Sequence, residues 1–463
     1  MSYGLSLKQV DLAEVPTKTE ALERVAVGVE ATPAGHWVHG RGWDHSLWEG
    51  GAFPTRWDLD SVAPDHPVYL RRKCGHVGWA NSRALDLAGI TAATPAPFGG
   101  AIDHDPETGE LTGILKELAM DLVARLFEEP TLDEATAAIK AAMAHAHRLG
   151  ITGVHTMEGP TALRAFEQLE VDDALAMRIL IQVPEKNLDA AIQMGLRSGF
   201  GNERLRIGGV KMFADGALGA RTAYMLEPFE GEPDNYGIPV ATADHLREQV
   251  VKASQAGLAA FVHAIGDRAN REVLDAIGAS RQQGVGTDLR HRIEHTQVLH
   301  PDDIPRLAQM DVIASMQPIH ATQDMLLADD LWGARSAGAY AFRSLLDSGA
   351  VLAFGSDSPV EDLNVMKGIH AAVTRRRADG SPGADGWYPE QRLTVDEAVF
   401  AYTAGAAYAS GEEAIKGTLS PGKLADLVVL SHDIFAIAPM AILDTKVMGT
   451  MFDGRFVYNH EDF

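Results

Sequence analysis

The chain has 463 residues, 46% of them hydrophobic, enough to bury one large core or two unequal ones. Its 40 basic residues against 64 acidic ones give a formal charge of -24 without any long basic block, which argues against a nucleic-acid or anionic-membrane surface. A single cysteine, Cys74, excludes an internal disulfide framework and fits a reducing compartment.

The opening residues MSYGLSLKQVDL lack the apolar core of a signal peptide, and no run approaches the roughly 20 apolar residues of a membrane span. A soluble, cytoplasmic protein is expected. Residues 1–130 read as an irregular insert or lid. Within them, 17–31 predicts a helix, WVHGRGW and PVYLRRK predict strands, and GAIDHDPETGELTGIL predicts a hairpin turning at Asp105 to Gly109.

From Thr131 the pattern becomes regular. Thr131 and Glu134 form a capping box, Ala135, Ile139 and Met143 fall at helical spacing, and Gly150 ends the helix before ITGVHTM. Strand and helix then alternate through RILIQV, GGVKMF, LAAFVHA, RIEHT, VIASMQP and VLAFGSD. These seven strands predict a parallel sheet, either open and doubly wound or closed as a barrel. Lys211, His263, His295 and Asp357 end four strands spread along the series, as at the mouth of a (β/α)8 TIM-type barrel rather than at a switch point. The barrel is expected over 131–412, with its first strand missing. The tail, 413–463, reads as short antiparallel strands folded at Asp453-Gly454, too few to be stable without partners.

Lys211 is the most demanding of the four. It lies inside an apolar run, where an ammonium is costly to desolvate unless it is paired, neutralised or chemically changed. The two histidines are neutral nitrogen donors suited to zinc.

The segments VKMFADGALGARTA, HAIGDRAN, RIEHTQ, FGSDSPV and GTLSPGKLADLVVL, with WVHGRGWD, PTRWDLDSVAPDHPVYLRRKCGH and NSRAL before them, resemble the amidohydrolase superfamily over nearly the whole chain. The similarity is to the branch that includes N-substituted formamide deformylase. It implies a distorted eight-stranded barrel beside a small β-sandwich built from both chain ends, and one or two divalent metals, usually zinc. It implies further that Lys211 is carboxylated and bridges the metals, that His263 and His295 are ligands, and that Asp357 is both a ligand and the general base. Members of this branch begin with sandwich strands and a His-x-His pair that ligates the first metal, whereas MSYGLSLKQVDL resembles the loop after that pair. A sequence that starts late is therefore expected, with the first metal subsite impaired. His145-Ala-His147 does not replace the pair, because residues two apart on a helix diverge. His36-Trp-Val-His39 is too widely spaced.

The activity expected is hydrolysis of a non-peptide, amide-like carbon-nitrogen bond of a small-molecule substrate by metal-bound hydroxide. A truncated, metal-poor barrel or binding protein, and a metal-dependent lactone hydrolase or isomerase, are the alternatives. His76, Asn81, Asp215, Arg221 and Gln317 are the candidate substrate contacts, with Arg221 weighed for a carboxylate against a surface salt bridge. Glu294 and Asp267 are candidates for orienting the histidine rings. Trp43, Trp48, Trp79 and Trp332 read equally as a pocket wall or as packing. A homodimer is the common expectation.

Overall fold

The structure, a computed structural model, describes residues 1–461. Six strands precede the regular series: β1 (Val10–Asp11), β2 (Val38–Trp43), β3 (Val68–Arg72), β4 (Val77–Ala80), β5 (Gly100–His104) and β6 (Leu111–Glu117). They form one sheet in the order β1-β2-β3-β4-β6-β5. The β1-β2 and β2-β3 contacts are parallel and the others antiparallel.

Alternation along β2 and β3 divides this sheet into two faces. Val38, Val68 and Leu70 pack with Trp43, Trp48 and Trp79 in an apolar cluster. His39, Arg41, Tyr69 and Arg71 point the other way, into a large cavity. The segment read as an irregular insert or lid, with two strands and a hairpin expected in it, folds as a sheet with its own core. Its strands run from two to seven residues; the expected WVHGRGW and PVYLRRK strands are β2 and β3, and the short β1 and β4 are the additions. The expected helix is present as Lys18–Ala31, and the expected hairpin is the β5-β6 pair, closed by Asp105 N–H donating to Glu110 O at 2.8 Å.

The regular series follows as β7 (Gly153–Thr156), β8 (Arg178–Pro184), β9 (Leu205–Phe213), β10 (Ala259–Ala264), β11 (Arg292–His295), β12 (Ile313–Met316) and β13 (Leu352–Phe354). All seven are parallel and paired in chain order, and the sheet curls as a half-barrel of the TIM type. Strands covered on both faces read as near-continuous apolar runs, and every residue of β10 is buried. The helix Leu132–Arg148 starts on the Thr131–Glu134 capping box and stops before Gly150, whose φ of +81° suits glycine. Among the described residues, β7 and β13 are the edges of this sheet. No helix among them is long and apolar enough to cross a membrane.

The tail contributes β14 (Leu427–Leu430), β15 (Val447–Phe452) and β16 (Arg455–Asn459), an antiparallel three-stranded sheet. It is held to the half-barrel by Arg178 at the start of β8, whose Nε and Nη2 donate to the two Asp426 oxygens at 2.5 and 2.8 Å. Thr450 adds a bond from Oγ1 to the carbonyl of His147 at 2.6 Å.

The Arg178 and Asp426 side chains are only 3% and 10% exposed. Asp426→Ala strips this buried guanidinium of its bidentate partner and should cost about 3 kcal/mol. Urea titration followed by tryptophan fluorescence should show a lower midpoint; an unchanged midpoint would mean that the pair does not hold the two sheets together.

Candidate metal site

Parallel pairing puts the polar strand ends at nearly one level. His263 pairs with Phe213 and Glu294, and the next residue, Ala264, pairs with His295. Lys211 pairs with Phe261 and so lies two positions deeper. Two strand residues span about 6.6 Å, a depth that the four-carbon stem of lysine can climb. Lys211, His263, His295 and Asp357 all line one cavity of about 2440 Å³, together with His76 and Gln317.

Lys211 is 5% exposed, with Nζ 4.5 Å from the centre of the Phe213 ring. Burial pulls its pKa down to about 8, against the opposing charges of Glu294 and Asp357. No carboxylate among the described residues makes an ion pair with it.

His263 Nε2 is 2.8 Å from the carbonyl of Gly216, which can only accept, so Nε2 carries the proton and Nδ1 keeps its lone pair. His295 has the opposite tautomer. Its Nδ1 donates to Gln317 Oε1 at 2.7 Å, leaving Nε2 free. Burial pushes the pKa of His263 well down, with the charges of His295, His76 and Lys211 adding to the effect. It brings His295 to about 4 against the charge of Asp357. The two rings lie edge to face with centroids 4.7 Å apart. Both are therefore uncharged donors, each held in orientation through its other nitrogen.

Asp357 follows β13 in FGSDSP, at a φ of +56°. His320 Nε2 is 3.4 Å from its Oδ2, and His320 Nδ1 is 3.7 Å from Glu361 Oε1. Glu361 in turn pairs with Lys73 of the insert at 2.8 Å. Burial alone would keep His320 neutral, but the close carboxylates of Asp357 and Glu361 push its pKa up to about 10. The same contact overrides burial at Asp357 and holds it below the usual carboxylate range. Ligand atoms of His295, His320 and Asp357 lie within 4.8 Å of one another.

His76 comes from the insert and meets His263 with ring centroids 4.9 Å apart. Its Nδ1 donates to Glu117 Oε2 at 2.7 Å, and Thr222 Oγ1 donates to Glu117 Oε1 at 2.5 Å. Despite burial, Glu117 raises the pKa of His76 to about 9.

The structure brings Lys211, His263, His295, Asp357, His76 and Gln317 together, with Asp215 Oδ1 3.6 Å from His263 Nε2, but it gives three candidates work other than a substrate contact. Asn81 is fully buried in the insert, where its amide serves Val68 N, Ala84 N, Ala63 O and His66 O. Asp215 is also fully buried and accepts from the backbone N–H groups of Tyr224, Ile265 and Gly266, which shapes the loop after His263. Arg221 pairs with Glu232 away from the cavity, in line with the salt-bridge alternative. Glu294 is engaged by Arg292 Nε at 2.6 Å rather than by either ring, and Asp267 accepts from Leu226 N and Arg268 N. The four tryptophans are packing residues in buried clusters.

His320 and Glu361 were missed in the sequence. The available signal was QPIH, in which a proline starts a helix directly after a strand and a histidine sits in its first turn.

The donors, His263 buried and His295 and Asp357 half-buried, have lone pairs to spare, and this set fits a divalent cation. The family model described as the amidohydrolase family matches residues 1–458. Similar proteins include LONG AFTER FAR-RED 3 of Arabidopsis thaliana, 36% identical over 99% of this chain and 80% of its own length. N-substituted formamide deformylase of Arthrobacter pascens is 29% identical over 97% of this chain and 84% of its own. The crystal structure of an uncharacterized metal-dependent hydrolase from Pyrococcus horikoshii OT3 superposes with a TM-score of 0.75 at 31% identity, covering 95% of this chain and 84% of that one. By its sequence over almost its full length and by its architecture, the chain belongs to the amidohydrolase family.

Proposed function

We propose that this protein is a metal-dependent hydrolase of an amide-like carbon-nitrogen bond in a non-peptide small molecule, with Lys211, His263, His295 and Asp357 as the metal ligands. The observation that carries the reading is the pair of uncharged imidazoles, His263 buried and His295 half-buried, each with one nitrogen engaged and one free, in the cavity that Asp357 and Lys211 also line. Nitrogen and oxygen donors without a thiolate suit zinc. The words metal-dependent hydrolase and N-substituted formamide deformylase, attached to the Pyrococcus and Arthrobacter proteins, support the same reading.

A metal bound here would polarise the substrate carbonyl and bring the pKa of a water towards about 7. Asp357, kept ionised by His320, is the group to accept the proton of the attacking water and to return it to the leaving nitrogen. His320 holds that carboxylate between itself and the cavity, while Glu361 and Lys73 brace the ring from behind. His76 presents an imidazolium beside His263, suited to hydrogen-bonding a carbonyl oxygen. With a pKa of about 8, Lys211 is neutral in roughly a tenth of molecules at pH 7. That neutral amine can take up carbon dioxide as a carbamate with release of one proton; counted from the ammonium, two protons leave and a buried cation becomes an anionic oxygen ligand.

Elemental analysis of the purified protein should find zinc or a similar divalent metal, with its ratio to protein falling in Lys211→Ala and in His263→Ala. Metal-free wild-type protein would sink the proposal. In a panel of N-substituted formamides and acetamides, Asp357→Asn should lower kcat on any substrate turned over by about 100-fold or more; an unimpaired variant would remove Asp357 from the chemistry.

Acid should release the metal late. Burial holds the folded-state pKa of His295 at about 4, below the 6.5 of a free imidazole, so protons compete for its nitrogen only near that lower value. For the metal-free protein the sign is fixed by linkage. The unfolded chain binds the extra proton between about pH 6.5 and 4, so stability is present above this window and is lost as pH falls through it. Dialysis at stepped pH should leave the metal in place at pH 6 and remove it below about pH 5, and half-release already near pH 6.5 would contradict a His295 held neutral in the fold.

A further inference from the structure

The insert ends β3 with three basic residues in succession, and they meet different fates. Arg72 pairs with Asp44 at 2.6 Å and Lys73 pairs with Glu361 at 2.8 Å. Arg71 is exposed on the cavity side, and no carboxylate, carbonyl or ring among the described residues takes its guanidinium. Asp121, whose charge reaches the neighbouring Tyr69, makes no ion pair with it. In the β2-β3 register the residue paired with Arg71 is Arg41, which also lines the cavity. Two like charges at paired positions repel each other, about 4.8 Å apart at the backbone. Arg41 is partly compensated, since it donates to the carbonyl of Pro359 and feels the charges of Asp11 and Glu361. Arg71 has no such relief.

The pair stands close to the chemistry. Pro359, which accepts from Arg41, is two residues beyond Asp357 in the same loop. The strip before the two arginines on the same face is aromatic: His39 stands edge-on to Phe127 at 4.5 Å, Trp37 lies 5.0 Å from Phe127, and Tyr69 lies 5.5 Å from it. The cavity wall therefore offers an apolar surface that ends in two guanidinium groups. A chain of net charge -24 repels anions in solution, so this local reversal of sign matters only to an anion that enters the cavity.

We infer that Arg71 and Arg41 form a carboxylate subsite, and that the substrate is an amide whose body is aryl or alkyl and whose far end carries a carboxylate. Guanidinium groups bind a carboxylate in a planar, bidentate manner that lysine does not reproduce. The identity of the substrate rests on the hydrolase reading of this cavity, but the carboxylate preference does not require turnover.

Hippurate, which has a ring, an amide and a carboxylate, and hippuramide, its neutral counterpart, are the probes, titrated into the full chain by ligand-observed NMR. Wild-type protein should bind hippurate at least about tenfold more tightly at low ionic strength, and the margin should shrink as salt is added. Arg71→Met should abolish the preference, and Arg71→Lys should restore part of it. Because Arg71 is exposed and unpartnered, neither variant should change the melting temperature. Equal affinity for the two probes, no binding of hippurate, or a preference that survives Arg71→Met would overturn the subsite. Lys211→Ala separates the two claims: it should lose metal and keep the preference. Wild-type protein that lacks metal yet still selects hippurate would overturn the hydrolase reading while supporting the subsite.

Discussion

Two hydrogen bonds on the far sides of two rings decide what this site can be. His263 gives its Nε2 proton to the Gly216 carbonyl and His295 gives its Nδ1 proton to Gln317. A neutral imidazole whose one N–H is committed to a hydrogen bond, and whose pKa is too low to take up a second proton, has a single option left, to donate its remaining lone pair. Desolvation supplies the second half of that condition. It lowers both histidines and draws Lys211 down to about 8, so that three groups that would carry charge in water lose it in part or in full at the strand ends. Without these two bonds the rings would rotate and the donors would no longer converge.

The backbone is bent to suit the site. His295, Thr296 and Asp357 have φ values of +75°, +45° and +56°, and Glu117, which holds His76, has +49°. Such conformations cost on the order of 1–3 kcal/mol each in non-glycine residues. They occur where a strand has just ended and the side chain must turn back over the mouth. Strand pairing below and helix packing outside are what offset that cost.

The insert is joined to the site through polar contacts. Arg41 reaches the Pro359 carbonyl, Lys73 reaches Glu361, and Glu117, which orients His76 within the insert, accepts from Thr222. Each contact crosses from the insert sheet to a loop at the mouth of the half-barrel. Lys73, which braces the Glu361–His320 pair behind Asp357, and the residues that shape the far end of the cavity thus come from a part of the chain with a hydrophobic core of its own. This arrangement lets the cavity wall change without disturbing the strand ends that hold the proposed metal ligands.

The periodicity of the sequence from Thr131 onward determined the parallel sheet, because strands covered on both faces must be apolar throughout and the helices between them must be amphipathic. Lys211, His263, His295 and Asp357 were legible for a related reason: a polar residue that closes an apolar run has few places to go except the mouth. What the sequence could not decide was partnership. Asn81, Asp215 and Arg221 have the right chemistry for a substrate contact, and only the folded chain assigns them to backbone groups and to Glu232. His320, Glu361 and Arg71 are unremarkable as letters, because their roles depend on which groups stand within a few ångströms across long sequence separations. Local pattern encodes burial and secondary structure; the pairing of charges is settled by tertiary contacts, since a titratable group takes its state from its neighbours in space.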